Sequence, residues 1–172
     1  VFRDLVKISD IVFENNRPGT MDRWGIGYEQ LKLINPGIIM TSVSGFGQTG
    51  PYRDRPGLDI IAQAMGGMMH MTGEEDGPPT RTGNAMGDFL GALYAAYGTL
   101  TALYYREKTG QGQHVDAALL DSIIAVLENV IPNYTALGNV ATRMGSRIPG
   151  IAPYNRYKAK DGYVVIGVSS NV

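Results

Sequence analysis

Within Thr82-Gly83-Asn84-Ala85-Met86-Gly87-Asp88-Phe89-Leu90-Gly91 one carboxylate, Asp88, stands at the mouth of a long uncharged segment. No residue from Phe89 to Tyr105 carries a charge, and Gly87, Gly91, Ala95, Gly98 and Ala102 recur at steps of three or four. That spacing lines one face of a helix and lets another backbone approach it closely. A helix is therefore expected to start within a few residues of Asp88 and to run to about Lys108. Free N–H groups and the helix dipole at its N-terminus would stabilise negative charge. A carboxylate so placed is either a cap or a nucleophile, and the local sequence leaves both open.

Other kinds of site are poorly supplied. Without cysteine the chain has no thiol nucleophile, no disulfide framework and no cysteine-ligated zinc. His70 and His114 are the two histidines, with no partner at ligand spacing, so neither a Ser-His-Asp triad nor a metal site is expected. Gly45-Phe46-Gly47-Gln48-Thr49-Gly50 matches the G-x-G-x-x-G pattern, but a dinucleotide site also needs a helix opening at the last glycine to hold the pyrophosphate. Pro51-Tyr52-Arg53-Asp54-Arg55-Pro56-Gly57 follows instead, so a mobile glycine loop is expected. Arg17, Arg23, Arg53 and Arg55 singly read as solvated loop charge. Converging on one rim, they would suit a phosphate-bearing anion.

The elements that must position these groups alternate in type. Asp10 to Glu14 reads as a strand turning at Asn15-Asn16-Arg17-Pro18-Gly19. Tyr28 to Ile34 suits a helix stopped by Asn35-Pro36-Gly37, and Ile38 to Ser44 a second, buried strand. Asp59 to Met69 reads as a glycine-interrupted helix, and Thr72 to Thr82 as a Gly/Pro-rich loop. After the Asp88 helix come a turn at Thr109-Gly110-Gln111-Gly112, a strand from His114 to Leu119 and a helix from about Asp121 to Leu137. This alternation predicts a parallel α/β layer, with a boundary near residue 140 and then an antiparallel hairpin, Asn155 to Val168, turning at Asp161-Gly162. Ligands of parallel sheets bind beyond the carboxyl ends of the strands. Asn15 to Arg17 and Ser44 to Gly50 each follow a strand and should share that rim.

Composition narrows the classes further. At 172 residues the chain can bury roughly two-thirds of its unfolded surface, enough for one core. A net charge of −1 gives no overall field for nucleic acid or an anionic membrane. The uncharged run from Phe89 barely reaches the roughly 17 residues a membrane span needs. Its tyrosines, threonines and glycines make it poorly apolar, which predicts a buried helix in a core or subunit interface. The opening without Met inside an amphipathic segment, Val1 to Ile8, and the end just after Tyr163 to Val168 read as a piece of a longer protein. The lack of cysteine fits a cytoplasmic enzyme.

Four blocks, in order, resemble the class III CoA-transferases, the formyl-CoA transferase/carnitine CoA-transferase family. Glu14-Asn15-Asn16-Arg17-Pro18-Gly19-Thr20-Met21-Asp22-Arg23-Trp24-Gly25 resembles the first, with Asn16 in place of the usual aromatic. Asn35-Pro36, Ser42 to Gly47 and Gly50-Pro51-Tyr52 resemble the second. Gly87-Asp88, Gly91, Arg106, Thr109 to Gln113 and Val115-Asp116 resemble the third, and Ala152-Pro153-Tyr154 with Asp161-Gly162 the fourth.

The resemblance implies that Asp88 carries the acyl group and then coenzyme A. Asn15, Asn16, Arg17 and Arg23 fall on coenzyme A-binding positions, Arg55, Pro56, Gly57 and Leu58 on a second such segment, and Asp59 on an acidic residue beside the site. Also implied are a Rossmann-like parallel-sheet large domain leading into a smaller α+β domain, and an interlocked homodimer. Residues 1–125 would belong to the large domain, 126–144 to a connecting helix or linker, and 145–172 to the start of the small domain. The substrates would be acyl-CoA and a carboxylic acid, with no permanently bound cofactor. Gly145-Ser146-Arg147-Ile148-Pro149-Gly150 stands where the formyl-CoA/oxalate enzymes carry a glycine-rich flap, which points away from formate and oxalate. The related racemases place a histidine base immediately before the residue aligned with Asp59. Leu58 stands there instead and cannot abstract a proton, which favours transfer over racemisation. A non-catalytic nucleotide-binding module remains the alternative of another class.

Overall fold

A computed structural model describes residues 1–168 of the chain. At its centre lies a three-stranded parallel sheet in the order β1 (Ile11–Glu14), β2 (Ile39–Ser44), β3 (His114–Ala118). Ile11 pairs with Ile39, and Met40 with His114. β2 opens as an unbroken buried run, Ile39 to Ser42, as a strand covered on both faces should.

One face is covered by α1 (Phe2–Val6), α2 (Thr20–Arg23) and α3 (Tyr28–Ile34), which bring Val6, Met21 and Leu31 against Ile38 and Met40. α3 ends at Asn35, as expected. The side chain of Asn35 donates to the carbonyls of Val6 and Ser9 and accepts from the Gly37 N–H, fixing the turn into β2.

The other face carries α4 (Asp59–Met65), α5 (Met68–Met71), α6 (Met86–Thr109) and α7 (Leu119–Ala125), with Ala62, Leu90, Leu119 and Ile123 buried together. The pair Gly66-Gly67 divides the expected Asp59–Met69 helix into α4 and α5. The small-residue stripe seats α6. A Cβ at Gly91 would lie 2.5 Å from Leu119 Cδ2, and one at Gly98 2.6 Å from Val115 Cγ1, far inside the roughly 3.5–4.0 Å of a carbon contact. Thr99 on the same face meets Thr41 of β2, hydroxyl to hydroxyl, at 2.7 Å. At the far end Arg106 donates to the Asp10 carboxylate and the Gly37 carbonyl. The opposite side of α6, with Phe89, Leu93, Tyr97, Leu100 and Tyr104, is exposed.

The helix expected from Asp121 to Leu137 is two helices. α7 starts earlier, at Leu119, and α8 (Val130–Leu137) follows a break at which Glu128 takes φ 51°. Apolar spacing continues across the break, so periodicity could not mark it. Pro132 supplies the reason: in a continuous helix it would lack an interior N–H, whereas here it sits in the first turn of α8, where that loss is tolerated.

Beyond α8, β4 (Tyr154–Lys158) and β5 (Tyr163–Gly167) form the expected antiparallel hairpin. The segment before it and β4 itself are tied to α5 and the loop that follows α5. Arg143 donates to the carbonyls of His70 and Gly77, and Arg156 pairs with Glu74 at 2.7 Å. The last four residues of the expected small-domain segment, 169–172, lie outside the described residues. Among the described residues no helix is long and apolar enough to cross a membrane.

Candidate active site

A cavity of about 670 Å³ opens at the carboxyl ends of all three strands. The segment 15–18 reaches it from β1, Ser44 and Gly45 from β2, and Leu119 from β3. The β2–α4 loop supplies the segment 55–58, and the first turns of α6 supply Asp88 and Ala92. Thus Asn15, Asn16, Arg17, Arg55, Pro56, Gly57, Leu58 and Asp88 line one space although they are far apart in the chain. Phe13, Val43, Ala92 and Leu119 complete the wall. Their types carried no signal of this beyond their positions at strand ends and one turn after Asp88.

Arg23 does not line that cavity. It closes α2, where its guanidinium donates to Thr20 Oγ1 at 2.8 Å. Arg23 and Arg53 flank Gly19. Gly19 borders a second cavity of about 180 Å³ on the other face of the sheet. Arg17 lines both spaces, so the cations run from the main cavity round Gly19.

Local bonds fix the rim. The buried Glu14 carboxylate accepts from the Asn16 backbone N–H at 2.7 Å and from Asn16 Nδ2 at 3.1 Å, setting the turn after β1. After β2 the glycine loop is pinned at its base. Gly47 N–H donates to Ser44 Oγ, Gln48 N–H to the Asp116 carboxylate and Leu120 N–H to the Gly45 carbonyl. No helix opens at Gly50, and the chain turns until α4 begins at Asp59, so a dinucleotide site of the G-x-G-x-x-G kind has no helix to serve it. Within this loop the Arg55 guanidinium stacks over the Tyr52 ring at 4.2 Å.

The two carboxylates differ sharply. Asp88, in the first turn of α6, is exposed, and α6 has no side-chain cap bond. Its carboxylate makes no hydrogen bond among the described residues, so it does not cap α6, and it borders the cavity. Asp59 is only 8 % exposed and does not line the cavity. Its Oδ1 accepts the Gly87 N–H at 2.7 Å, its Oδ2 accepts Arg81 Nε at 3.0 Å, and Gln63 Nε2 lies 3.0 Å from both oxygens. Burial pushes the Asp59 carboxyl up, but the bonds from Gln63, Gly87 and Arg81 and the Arg81 charge outweigh it and hold the group below its ordinary value. The Gly87 N–H at the helix start is therefore taken, as are those of Gly47 and Gln48, and none of the three is free for an oxyanion.

Sequence reasoning missed Gln63 and Arg81. The available signal was Asp59 and Gln63 at i, i+4 in an otherwise apolar helix. His114 does have a partner, Ser42 Oγ at 2.9 Å, and it stacks on Tyr28. Both lie on the sheet face opposite α6. Among the described residues no group of three or more His, Cys, Asp or Glu is placed to hold a metal.

The sequence and the fold have counterparts. A model of CoA-transferase family III matches residues 1–171. The chain belongs to CoA-transferase family III. It is 48% identical over 168 residues to the succinyl-CoA–D-citramalate CoA-transferase of Chloroflexus aurantiacus, covering 97% of this chain and 42% of that one. It is 44% identical over 167 residues to the acetyl-CoA:oxalate CoA-transferase of Acetobacter aceti, covering 96% and 43%. The crystal structure of a CAIB/BAIF family protein from Brucella suis superposes with a TM-score of 0.91 at 45% identity, over 96% of this chain and 44% of that one. This family III chain thus spans about two-fifths of the length of such relatives, and the mixed α/β fold with its parallel sheet is the family's.

Proposed function

We propose that the full-length protein moves coenzyme A between an acyl-CoA and a carboxylic acid, with Asp88 carrying the acyl group and then coenzyme A. One observation carries the reading: a carboxylate at the start of α6, with no hydrogen bond among the described residues, shares a cavity with Asn15, Arg17 and Arg55 at the carboxyl edge of the sheet. In this reading Asn15, Asn16, Arg17, Arg23 and the segment 55–58 bind coenzyme A. The arginines take its phosphates.

Asp88 attacks the thioester carbonyl, forming an aspartyl anhydride and expelling CoA thiolate. The thiolate attacks the aspartyl carbonyl, giving an aspartyl-CoA thioester and releasing the donor carboxylate. The acceptor carboxylate attacks that thioester, restoring an anhydride and the thiolate. The thiolate then takes the new acyl group and frees Asp88. No proton or oxidant is needed. Leu58 in the cavity wall supports transfer over racemisation, because it cannot take an α-proton. The relatives' names pair acyl-CoA with D-citramalate or oxalate, which supports a carboxylate acceptor and leaves oxalate within the panel to be tested.

Residues 1–125 are read as part of the CoA-binding domain, 126–144 as a connection and 145–172 as the opening of the small domain. An interlocked homodimer belongs to the same reading, supported by the exposed apolar side of α6.

Full-length protein given acyl-CoA without acceptor should gain a covalent acyl or CoA adduct on the peptide containing Asp88, and hydroxylamine should convert that side chain to a hydroxamate. Asp88→Asn should abolish labelling and turnover while leaving the circular dichroism spectrum unchanged. A label on another peptide, or an active Asp88→Asn variant, would overturn the reading.

A further inference from the structure

We propose that Gln63 and Arg81 are positioning residues for Asp88, acting through Asp59 on the segment that leads into α6. The inference rests on the reading of Asp88 as the acyl carrier.

Gln63 is wholly buried (0 % exposed) in α4. An amide there is unfavourable unless its groups are matched, and they are. Gln63 Nε2 faces both Asp59 oxygens at 3.0 Å and the Asn84 carbonyl at 3.3 Å. Its Oε1 accepts the Thr82 N–H at 3.1 Å and lies 3.0 Å from the Thr82 hydroxyl. Asp59 stands one helical turn earlier on the same edge of α4 and binds both ends of the segment, Arg81 through Nε and Gly87 through its N–H. Arg81 also donates to the Gly83 carbonyl at 3.3 Å. Two side chains of one short helix therefore hold the path from residue 81 to residue 87, and Asp88 is the next residue along it. The fit at Gly87 is close, because a Cβ there would lie 3.2 Å from Asp59 Oδ1 and 3.3 Å from Ala62 Cβ.

Neither Gln63 nor Arg81 lines the cavity, so neither touches the bound thioester. Their effect on transfer has to pass through where Asp88 stands. Attack on a carbonyl is steep in that coordinate, and a displacement of about 1 Å removes about 10²-fold in rate.

The test uses full-length Arg81→Ala, Arg81→Lys and Gln63→Leu, with kcat, KM for acyl-CoA and the rate of covalent labelling at Asp88 as readouts. Arg81→Ala and Gln63→Leu should lower kcat and the labelling rate by about ten- to a hundredfold, with KM within about threefold of wild type. Arg81→Lys, which keeps a cation beside Asp59, should recover most of the loss. The Arg81 side chain is 37% exposed, so its variants spare the core and decide the matter even if Gln63→Leu fails to fold. A raised KM with unchanged kcat would mean contact with coenzyme A and would overturn the proposal, as would wild-type kcat in Arg81→Ala. An unlabelled but active wild type would overturn the aspartyl-acyl reading and this proposal with it, whereas a labelled wild type alongside wild-type kcat in Arg81→Ala would overturn this proposal alone.

Discussion

The seating of α6 on the sheet can be tested at one pair of hydroxyls. Thr99 Oγ1 lies 2.7 Å from the Ala95 carbonyl and 2.7 Å from Thr41 Oγ1. A hydroxyl has one hydrogen, and that of Thr99 is committed to the carbonyl, so Thr41 is the donor between the two. The roles are unequal, and so are the consequences. Thr41→Val removes a donor and leaves Thr99 with its own bond intact, a loss of about 0.5–1.5 kcal/mol set against roughly 0.8 kcal/mol for the added buried methyl. Thr99→Val strands the Thr41 O–H, which is fully buried, and should destabilise by about 1–3 kcal/mol. For a domain of this size that is roughly 2–4 °C in Tm per kcal/mol. The double variant buries two methyls and strands nothing, so it should lie near wild type. The assay is the order of thermal midpoints of the full-length protein by calorimetry: wild type, the double variant and Thr41→Val close together, Thr99→Val lowest. Thr41→Val as the most damaging change, or strict additivity in the double variant, would refute the assignment of donor and acceptor.

Two further outcomes follow from the site. Asp59 is held below its ordinary value of 3.8, so its stabilisation is complete above that pH and is lost as pH falls through the lowered value; Asp59→Asn should flatten the acid limb of a stability profile below pH 3.8 and leave its neutral-to-basic limb unchanged in shape, as acid unfolding followed by circular dichroism would show. Arg17, Arg23 and Arg53 form a run round Gly19, so Arg23→Ala should raise KM for every acyl-CoA alike by about tenfold, or ~1.4 kcal/mol; steady-state kinetics with an unchanged KM across donors would remove Arg23 from the binding surface.

What the sequence settled was local or periodic. The small-residue stripe from Gly87 to Ala102 marked α6 within a few residues and identified its buried face, because steps of three and four residues map directly onto a helix surface. Asn35-Pro36-Gly37 stopped α3 through side-chain bonding and a missing N–H, both properties of the residues themselves. The rim followed from one rule about parallel strands, which is why Asn15 to Arg17 and the loop from Ser44 could be assigned to the same edge from their place after β1 and β2, whereas Arg55 was assigned only through the family resemblance. Tertiary structure decided the rest. Asp59 and Asp88 are the same residue type, each near the start of a helix. Only packing engaged one in bonds from Arg81 and Gly87, beside the Gln63 amide one turn along α4, and left the other facing the cavity, because Arg81 and Gly87 come from a segment more than twenty residues along the chain. Packing likewise set Arg23 apart from Arg17 and Arg55, since a loop cation's direction depends on the turn that carries it. It also joined the buried amide of Gln63 to Thr82 and Asn84, contacts that the spacing within α4 could not state. Hydrophobic periodicity records which side of an element is covered. It does not record which polar groups meet once the elements are packed, and the chemistry of this site depends on that.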